Sequence, residues 1–401
     1  MEQIDSVKQA YDKVVDFMIA SEFKSYDPYD GANITLPFSN NYPVRLLSTY
    51  INKFSPLNIR PLLKIPLSKQ NQALAFIGRA MLYRPDRYEK EINEITRHLK
   101  DKSLIKDHGY HCWDSHGFKI QMRRGLFSPG MVDIIGTEAI ARFFLLLNKI
   151  KPDSENEEIC LNVRDFFLKE LMTKNSGVTF FRYKPNTKLH QWCYNASILC
   201  AIYIEKSGSC FLKEDSNEKA ADAIRDIIDK QKPEGEWGYS FDFETKFERT
   251  QIDFHQGFIL DALLEYMEIN GFVEPYISSY KKGLEFYHEK QFHPNGQGIY
   301  RHPKKWPVNI HNQAQGIITF SRAAKAGFGE QYLDFAQTIA EWTIKNMQDK
   351  DGHFYYLKYP LFTNKIPYIR WSDAAMAYAL AVFLEIRDQG LETRNGKSKN
   401  A

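Results

Sequence analysis

Acidic, imidazole and guanidinium side chains recur just ahead of small residues that open apolar runs. Asp253 and His255 come before Gly257, while Arg370 and Asp373 come before Ala374. Carboxylates and imidazoles transfer protons near neutral pH, and a guanidinium donates paired hydrogen bonds to oxygen ligands. These residue types therefore indicate acid–base chemistry on an oxygen-rich substrate.

Two carboxylates are the basis of the leading hypothesis, glycoside hydrolysis. Glycoside cleavage needs one carboxylic acid for the leaving oxygen and a second carboxylate, about 5–10 Å away, as base or nucleophile. Asp253 and Asp373 lie two repeats apart and are the predicted acid–base pair. Asp133 and Asp30 are further candidates for proton transfer or substrate binding.

Two alternatives stay open. A uronate epimerase or lyase would move protons with His255 or His311 and with tyrosines of the loops, while Arg370 neutralises a substrate carboxylate. A non-catalytic glycan-binding partner in polysaccharide biosynthesis would need the same aromatic and amide groups but no facing carboxylates.

A mixture of amide, aromatic and charged residues suits a sugar ring, whose edges form hydrogen bonds and whose C–H faces stack on aromatic rings. Aspartate and asparagine at helix starts can also be ordinary N-caps, and a histidine on a buried helix is often a core residue. Residues such as tryptophan and arginine do not cap helices, which favours a lined pocket. The predicted sugar-binding residues are Arg370, Trp371, Trp192, Asn195, Gln256, Gln315, Asp133, Tyr239 and Asp30.

These residues belong to an internal repeat. The small residues Gly136, Ala196, Gly257, Gly316 and Ala374 follow one another at intervals of 60, 61, 59 and 58 residues. Each opens an apolar helix, and amphipathic helices with one polar face lie between them. Loops that join them carry glycine followed by aromatic residues, as at 108–113, 176–181, 235–239, 298–302 and 352–356, and predict short strands.

Polar-faced helices alternating with apolar ones predict an all-α fold, an (α/α)6 toroid of six helical hairpins with short β-hairpin loops at its funnel end. We expect one domain over residues 1–401, with a disordered tail over 390–401. A first helix is predicted over 5–20 and is paired with the inner helix near 69–82, and a further short helix is predicted near 44–53. The predicted inner helices lie near 69–82, 131–149, 191–206, 253–269, 311–326 and 371–387.

Composition narrows the functional classes. The net charge is +3 without a long basic run, which argues against a nucleic-acid partner. No apolar run reaches the roughly 18 residues of a membrane span. The N-terminus lacks a signal-peptide pattern, and five cysteines without CxxC spacing favour free thiols and a cytoplasmic location. No nucleotide-binding motif is present. His108, His111 and His116 with Cys112 suggest a metal site, but their spacing matches no standard one, so no cofactor or metal is predicted. The oligomeric state is left open.

The six-hairpin pattern resembles the (α/α)6 glycosidase-like superfamily, which includes unsaturated glucuronyl hydrolases, N-acylglucosamine 2-epimerase relatives and polysaccharide lyase toroids. The segments 26–31 (YDPYDG), 55–63 (SPLNIRPLL) and 366–371 (IPYIRW) look like an uncharacterised bacterial family associated with surface-polysaccharide loci. The resemblance implies a carbohydrate-active enzyme that acts on a glycan or a uronic-acid-containing intermediate.

Overall fold

The computed structural model describes residues 2–35, 37, 41–123, 125–185, 191–214 and 216–398, without the side chains of residues 2–4 and 391–398. Within these ranges the chain is mostly helical. The helices are α1 (Glu2–Ala20), α2 (Tyr42–Phe54), α3 (Asn71–Met81), α4 (Glu89–Asp101), α5 (Ile105–His108), α6 (Ile134–Ile150), α7 (Ser154–Phe166), α8 (Tyr194–Ser207), α9 (Glu218–Ile228), α10 (His255–Asn270), α11 (Tyr276–Gln291), α12 (Ile310–Lys325), α13 (Gln331–Met347) and α14 (Asp373–Ser398).

Six helices form a closed inner ring. Each of α3, α6, α8, α10 and α12 packs on the next one, and α14 closes the ring by packing on α3. The helices α4, α7, α9, α11 and α13 lie outside, each against the inner helix that precedes it in the chain. This double ring confirms the predicted all-α (α/α)6 toroid, and every inner helix begins within three residues of its predicted start.

The first helix pairs differently from the prediction. The sequence pattern paired the helix at 5–20 with the inner helix at 69–82, whereas α1 packs mainly on α14 and α13. It reaches α3 through the Tyr11 hydroxyl, which donates a 2.9 Å hydrogen bond to the Ala80 carbonyl. The N-terminal helix thus joins the two ends of the chain and completes the outer ring.

The repeated small residues allow close approach between elements. A Cβ atom on Gly257 would lie 2.5 Å from Cγ of Gln315 on the neighbouring inner helix, and one on Gly316 would lie 2.4 Å from the Phe292 ring. A Cβ on Gly136 would meet the Ser115 backbone at 2.8 Å. The period seen in the sequence is therefore a packing requirement of the ring.

Short antiparallel strands lie at the end of the toroid where the inner helices begin. They are β1 (Lys24–Ser25), β2 (Ser68–Lys69), β3 (Ile120–Met122), β4 (Gly125–Phe127), β5 (Met172–Asn175), β6 (Val178–Phe181), β7 (Gln191–Cys193), β8 (Ser240–Asp242), β9 (Phe247–Arg249), β10 (Val308–Asn309), β11 (Tyr355–Lys358) and β12 (Thr363–Pro367). The sheets are β1–β2, β3–β4, β5–β6, β7–β8–β9 and β10–β11–β12.

The strand predictions were right in part. The strand expected at 176–181 is β6, and that at 352–356 overlaps β11. The segment 108–113 instead follows the short helix α5, 235–239 precedes β8, and 298–302 makes only isolated bridges. Glycine followed by aromatic residues marks a turn with buried rings, which does not require an extended ladder.

Three further features complete the fold. Helix α14 continues to Ser398, so it occupies most of the tail predicted to be disordered, while residues 399–401 lie outside the described residues. No helix in the described part of the chain is both long and apolar enough to cross a membrane. All five cysteines are free thiols, and only Cys210 is exposed.

Candidate active site

A cavity of about 860 Å³ opens where the inner helices begin. Eight of the predicted site residues line it and five do not. The lining residues are Asp133, Asn195, Tyr239, His255, His311, Gln315, Arg370 and Trp371. Residues from every inner helix contribute, because their like-ended tips meet around the axis of the ring.

His255 stands at the start of α10 and is held by the carboxylate that the sequence assigned to catalysis. Its Nδ1 lies 2.5 Å from Oδ1 of Asp253. The other oxygen of Asp253 accepts a 2.8 Å hydrogen bond from Gln251 and lies 3.5 Å from Nε of Arg301. Burial acts to raise the pKa of Asp253, but the charge and hydrogen bonds of His255 and Gln251 outweigh it and lower that pKa. Asp253 is therefore an anion behind the imidazole.

His311, at the start of α12, is the second imidazole of the cavity wall. Phe254 lies between the two histidines, with ring centroids 4.2 Å from His255 and 5.1 Å from His311. Burial, aided by the positive charge of Arg370, lowers the pKa of His311 to about 3. Among the described residues its Nδ1 has no hydrogen-bond partner. The ring is therefore neutral at pH 7 and is a weak base.

Arg370 is fixed by a carboxylate that the sequence analysis missed. Asp27 is buried, and its Oδ2 accepts hydrogen bonds from Nε of Arg370 at 2.8 Å and from Nε1 of Trp371 at 3.1 Å. Gln72 accepts a longer, 3.4 Å bond from Arg370. Because Asp27 balances the charge of Arg370, the guanidinium offers the cavity oriented N–H donors more than net positive charge.

The three segments that carry the family resemblance meet behind this arginine. Asp30 accepts bonds of 2.8 and 2.9 Å from Nε of Arg60, and the Arg60 guanidinium also donates to the Asp27 carbonyl at 2.8 Å. The Asp27 amide in turn donates to Asp30 at 3.0 Å. The predicted site residue Asp30 is thus a buried support for Asp27, away from the cavity, and burial raises its pKa to about 6.

Four other predicted residues lie outside the cavity lining. Asp373 is fully buried at the first residue of α14 and accepts a 2.6 Å bond from the Phe354 amide, so it joins this helix to the segment before β11. Gln256 exchanges two 2.8 Å bonds with the Trp237 backbone. Trp192 packs in an aromatic core with Phe180 and Phe243. The predicted pair of Asp253 and Asp373 therefore does not face a common substrate space.

Aromatic rings form one side of the cavity. Trp371 has ring centroids 5.2 Å from His311, 5.6 Å from Tyr29 and 5.7 Å from Tyr356. All four of these residues line the cavity. Flat apolar faces beside directional donors are the combination that a sugar ring requires.

Buried charges line the floor, where the sequence analysis described the inner helices as apolar. Arg142 forms ion pairs with Glu138 and, at 2.6 Å, with Glu265. Arg322 lies 3.2 Å from Glu265 and 3.4 Å from Asp261. Charges spaced four residues apart within apolar runs, Glu138 with Arg142 and Asp261 with Glu265, are the signal that could have found this cluster.

Glu265 and Asp261, two carboxylates of the floor, have pKa values shifted in opposite directions. Burial acts to raise the pKa of Glu265, but Arg142, Lys206 and Arg322 outweigh it, so that pKa lies below its usual range. Burial raises the pKa of Asp261 to about 6 despite the nearby Arg322. Its Oδ1 has no partner within the described ranges, while Oδ2 accepts a 2.9 Å bond from Gln315. Asp261 is therefore a weakly acidic group on the cavity wall.

No three His, Cys, Asp or Glu side chains in the described part of the chain are arranged to hold a metal ion. His108 ends the short helix α5, Cys112 is buried, and His111 bonds to Ser103 at 2.8 Å. His116 lines the cavity, and burial followed by the charges of Arg370 and Lys184 places its pKa well below the usual value. It is a further neutral imidazole that the sequence analysis treated only as a metal candidate.

Comparison with known proteins shows the same architecture. No family model matches the chain, and neither does any curated protein sequence. The GH76 alpha-mannanase of Bacteroides thetaiotaomicron is 11% identical over 80% of this chain and 87% of its own, with a TM-score of 0.62. An unsaturated glucuronyl hydrolase specific for heparin is 12% identical over 96% and 98%, also with a TM-score of 0.62.

Cellobiose 2-epimerase from Spirochaeta thermophila has a TM-score of 0.55, with 15% identity over 80% of this chain and 86% of its own. These similarities extend from hydrolases to an epimerase, and their sequence identities are low. They establish the fold but not the reaction, which depends on the side chains of this cavity.

Proposed function

We propose that this protein is a carbohydrate-active enzyme that transfers protons at a carbon next to a sugar carbonyl or carboxyl group. The observation that carries the proposal is the pair of imidazoles, His255 and His311, on either side of Phe254 in a cavity with aromatic walls. Solved structures with the same fold include sugar hydrolases and a sugar epimerase, which supports a sugar as the substrate class.

The side chains divide the work as follows. Nε2 of His255, oriented by Asp253, accepts the proton as the C–H bond breaks, and neutral His311 donates a hydrogen bond to the oxygen of the resulting enediolate. His255 then returns that proton, or one exchanged with solvent, to carbon, so no oxidant or other reactant is needed. Arg370 and Trp371 hold the sugar, together with Asn195, Gln315, Tyr239 and Asp133.

The experiment is solvent exchange. The protein is incubated in deuterium oxide with free uronic acids, D-mannose and cellobiose, and loss of the C2 proton, together with the C5 proton of the uronic acids, is followed by NMR. We expect exchange that falls by about 10²–10⁴-fold in His255→Gln and in His311→Gln. The control is His108→Gln, because His108 is exposed on α5 away from the cavity. Exchange that survives both cavity substitutions would overturn the proposal.

Glycoside hydrolysis, the leading hypothesis from sequence, is the second candidate, and one observation favours it. Asp261 lines the cavity with a pKa raised to about 6, as a general acid requires, and Asp133 is a second carboxyl group in the same lining. Release of reducing sugar that is lost in Asp261→Asn and retained in His255→Gln would select hydrolysis over proton transfer at carbon.

The biological setting is also part of the proposal. The likeness of the segments at 26–31, 55–63 and 366–371 to proteins of surface-polysaccharide loci supports a role in polysaccharide metabolism. Five free thiols support a cytoplasmic location. Detection of the native protein in a fractionated cell extract would test that location independently of activity.

A further inference from the structure

Helix α2 buries polar residues and exposes apolar ones, which is the reverse of an ordinary surface helix. Its polar residues Ser48, Thr49 and Asn52 are buried against the protein. Ser48 donates a hydrogen bond to the Gly31 carbonyl, and Asn52 donates a 3.2 Å bond to Asp30. The outward stripe at helical spacing is apolar and consists of Val44, Leu47, Ile51 and Phe54.

The apolar surface continues into the loop that follows α2. Leu57 is 72% exposed, Leu62 is 78% exposed and Leu67 is also exposed. Isolated exposed leucines are common, but a series of them directly after an exposed apolar helix stripe indicates a contact site. We call this surface the α2 patch; it comprises Val44, Leu47, Ile51, Phe54, Leu57, Leu62 and Leu67.

The charge around the patch has one sign. Neither residues 31–85 nor residues 115–132 contain an aspartate or glutamate. The two segments meet where α2 packs on β3. Arg123 lies over the Tyr50 ring at 5.8 Å, and the Asn33 amide bonds to the Lys119 carbonyl at 2.8 Å. Exposed Lys64, Lys119 and Arg123 therefore border an apolar surface in segments that carry no acidic side chain.

The apolar face and its basic border together distinguish between possible binding partners of the α2 patch. A second copy placed on the patch by twofold symmetry would oppose like charges from these segments. A glycan would gain little from leucine and isoleucine side chains, which form no hydrogen bonds. Aliphatic side chains bordered by basic ones match a lipid surface with anionic head groups, where both kinds of group find partners.

We propose that the α2 patch docks this protein on an anionic lipid surface. Lys53 and Phe54 belong to α2 and also line the cavity, so docking holds the cavity mouth at that surface. The contact is peripheral, since a helix of 13 residues lies along the head groups and does not cross them. The inference concerns binding alone and does not depend on the reaction that the cavity performs.

The test is co-sedimentation of the full chain with lipid vesicles. We expect binding to phosphatidylcholine vesicles that contain phosphatidylglycerol, weak binding to phosphatidylcholine alone, and weakening by salt. Leu47→Gln with Leu57→Gln removes two exposed side chains of the patch and should lower the partition coefficient by about tenfold. Lys64→Glu should weaken binding to anionic vesicles only.

The matched control is Ile150→Gln with Val273→Gln. These two apolar residues are about half exposed and lie at or just after the ends of α6 and α10, opposite the cavity mouth. They should leave vesicle binding unchanged. Thermal unfolding of every variant confirms that each is folded.

Four results would overturn the proposal. The first is absence of binding to anionic vesicles, and the second is binding that the patch variants and the control reduce equally. The third is a dimer in analytical ultracentrifugation that the patch variants dissociate, which would assign the surface to a second copy. Retention by an acidic polysaccharide in place of vesicles would count against lipid in the same way.

Discussion

Asp253 and His255 form a dyad in which Oδ1 of the carboxylate lies 2.5 Å from Nδ1 of the imidazole. Because this contact occupies Nδ1, only Nε2 of His255 remains for chemistry in the cavity. In the proposed reaction, the carboxylate that the sequence assigned to direct catalysis therefore acts through its neighbour, as a positioning group that fixes the tautomer and rotation of the ring.

The first prediction concerns this dyad. Asp253→Asn removes the anion but keeps a side chain of similar shape, so the ring loses its preferred tautomer. We expect solvent-exchange activity to fall by about 10²-fold or more, with little change in stability. The measurement is deuterium exchange by NMR, together with thermal unfolding.

Asp373→Asn is the control for Asp253→Asn, since Asp373 is equally buried but bonds to the Phe354 amide, whereas Asp253 holds an imidazole of the cavity. Its exchange activity should match that of the unmodified protein. Equal losses in the two variants would contradict the dyad and would restore the pair of facing carboxylates predicted from sequence.

The toroid was predictable from the sequence because its packing repeats. Gly136, Gly257 and Gly316 recur where adjacent elements lie too close for a Cβ atom, so the spacing of small residues records the geometry of the ring. Apolar runs likewise record which helices are enclosed on every side. Both signals are local and need no knowledge of long-range contacts.

The orientation of individual side chains was not predictable in the same way. Asp133, Asp253 and Asp373 look alike in sequence, each beside the start of an inner helix. In the structure Asp133 lines the cavity and bonds to Gly136 and Ser115, Asp253 holds His255, and Asp373 bonds to Phe354. Which partner a carboxylate finds depends on loops from elsewhere in the chain. The contact between Asp27 and Arg370 has the same origin, because 343 residues separate them.

The second prediction tests the packing role of the repeated glycine. Gly257→Ala brings a Cβ atom to 2.5 Å from Gln315, 2.9 Å from Thr319 and 3.0 Å from Tyr287, so these buried side chains or the helices that carry them must shift. We expect the free energy of unfolding to fall by about 1–3 kcal/mol, measured by urea denaturation.

Gly390→Ala is the control for Gly257→Ala. Gly390 is helical, and beyond its own turn of helix no heavy atom of the described residues lies within 4 Å of the place that a Cβ atom would occupy. The substitution should be neutral or stabilising by about 1 kcal/mol. A Gly257→Ala protein as stable as the Gly390→Ala protein would refute the packing argument.

The third prediction concerns the ion pair of Asp30 and Arg60, which is almost fully buried. Asp30→Ala leaves the guanidinium without its counter-ion, and we expect a loss of about 3–5 kcal/mol in urea denaturation. Asp165→Ala removes one member of the exposed pair with Lys169 and should cost less than about 1 kcal/mol. A double variant, Asp30→Ala with Arg60→Met, should recover part of the loss. Similar small effects for the buried and exposed pairs would show that Asp30 does not stabilise the chain behind Asp27.

The fourth prediction is a pH dependence of stability that Asp373 causes. Burial raises the pKa of Asp373 from 3.8 to about 7, although the Phe354 amide and His353 oppose this shift. Between these two values the folded protein keeps a proton that the unfolded chain has lost, so the free energy of unfolding falls as the pH rises from about 4 to about 7.

Asp373→Asn keeps an oxygen that accepts the Phe354 bond but cannot ionise. Its stability relative to the unmodified protein should therefore improve across that range by on the order of 4 kcal/mol, and remain constant above it. Urea denaturation of both proteins at a series of pH values measures the difference, in which other titrating groups cancel. Parallel stability curves for the two proteins would mean that Asp373 is ionised in the folded state at neutral pH.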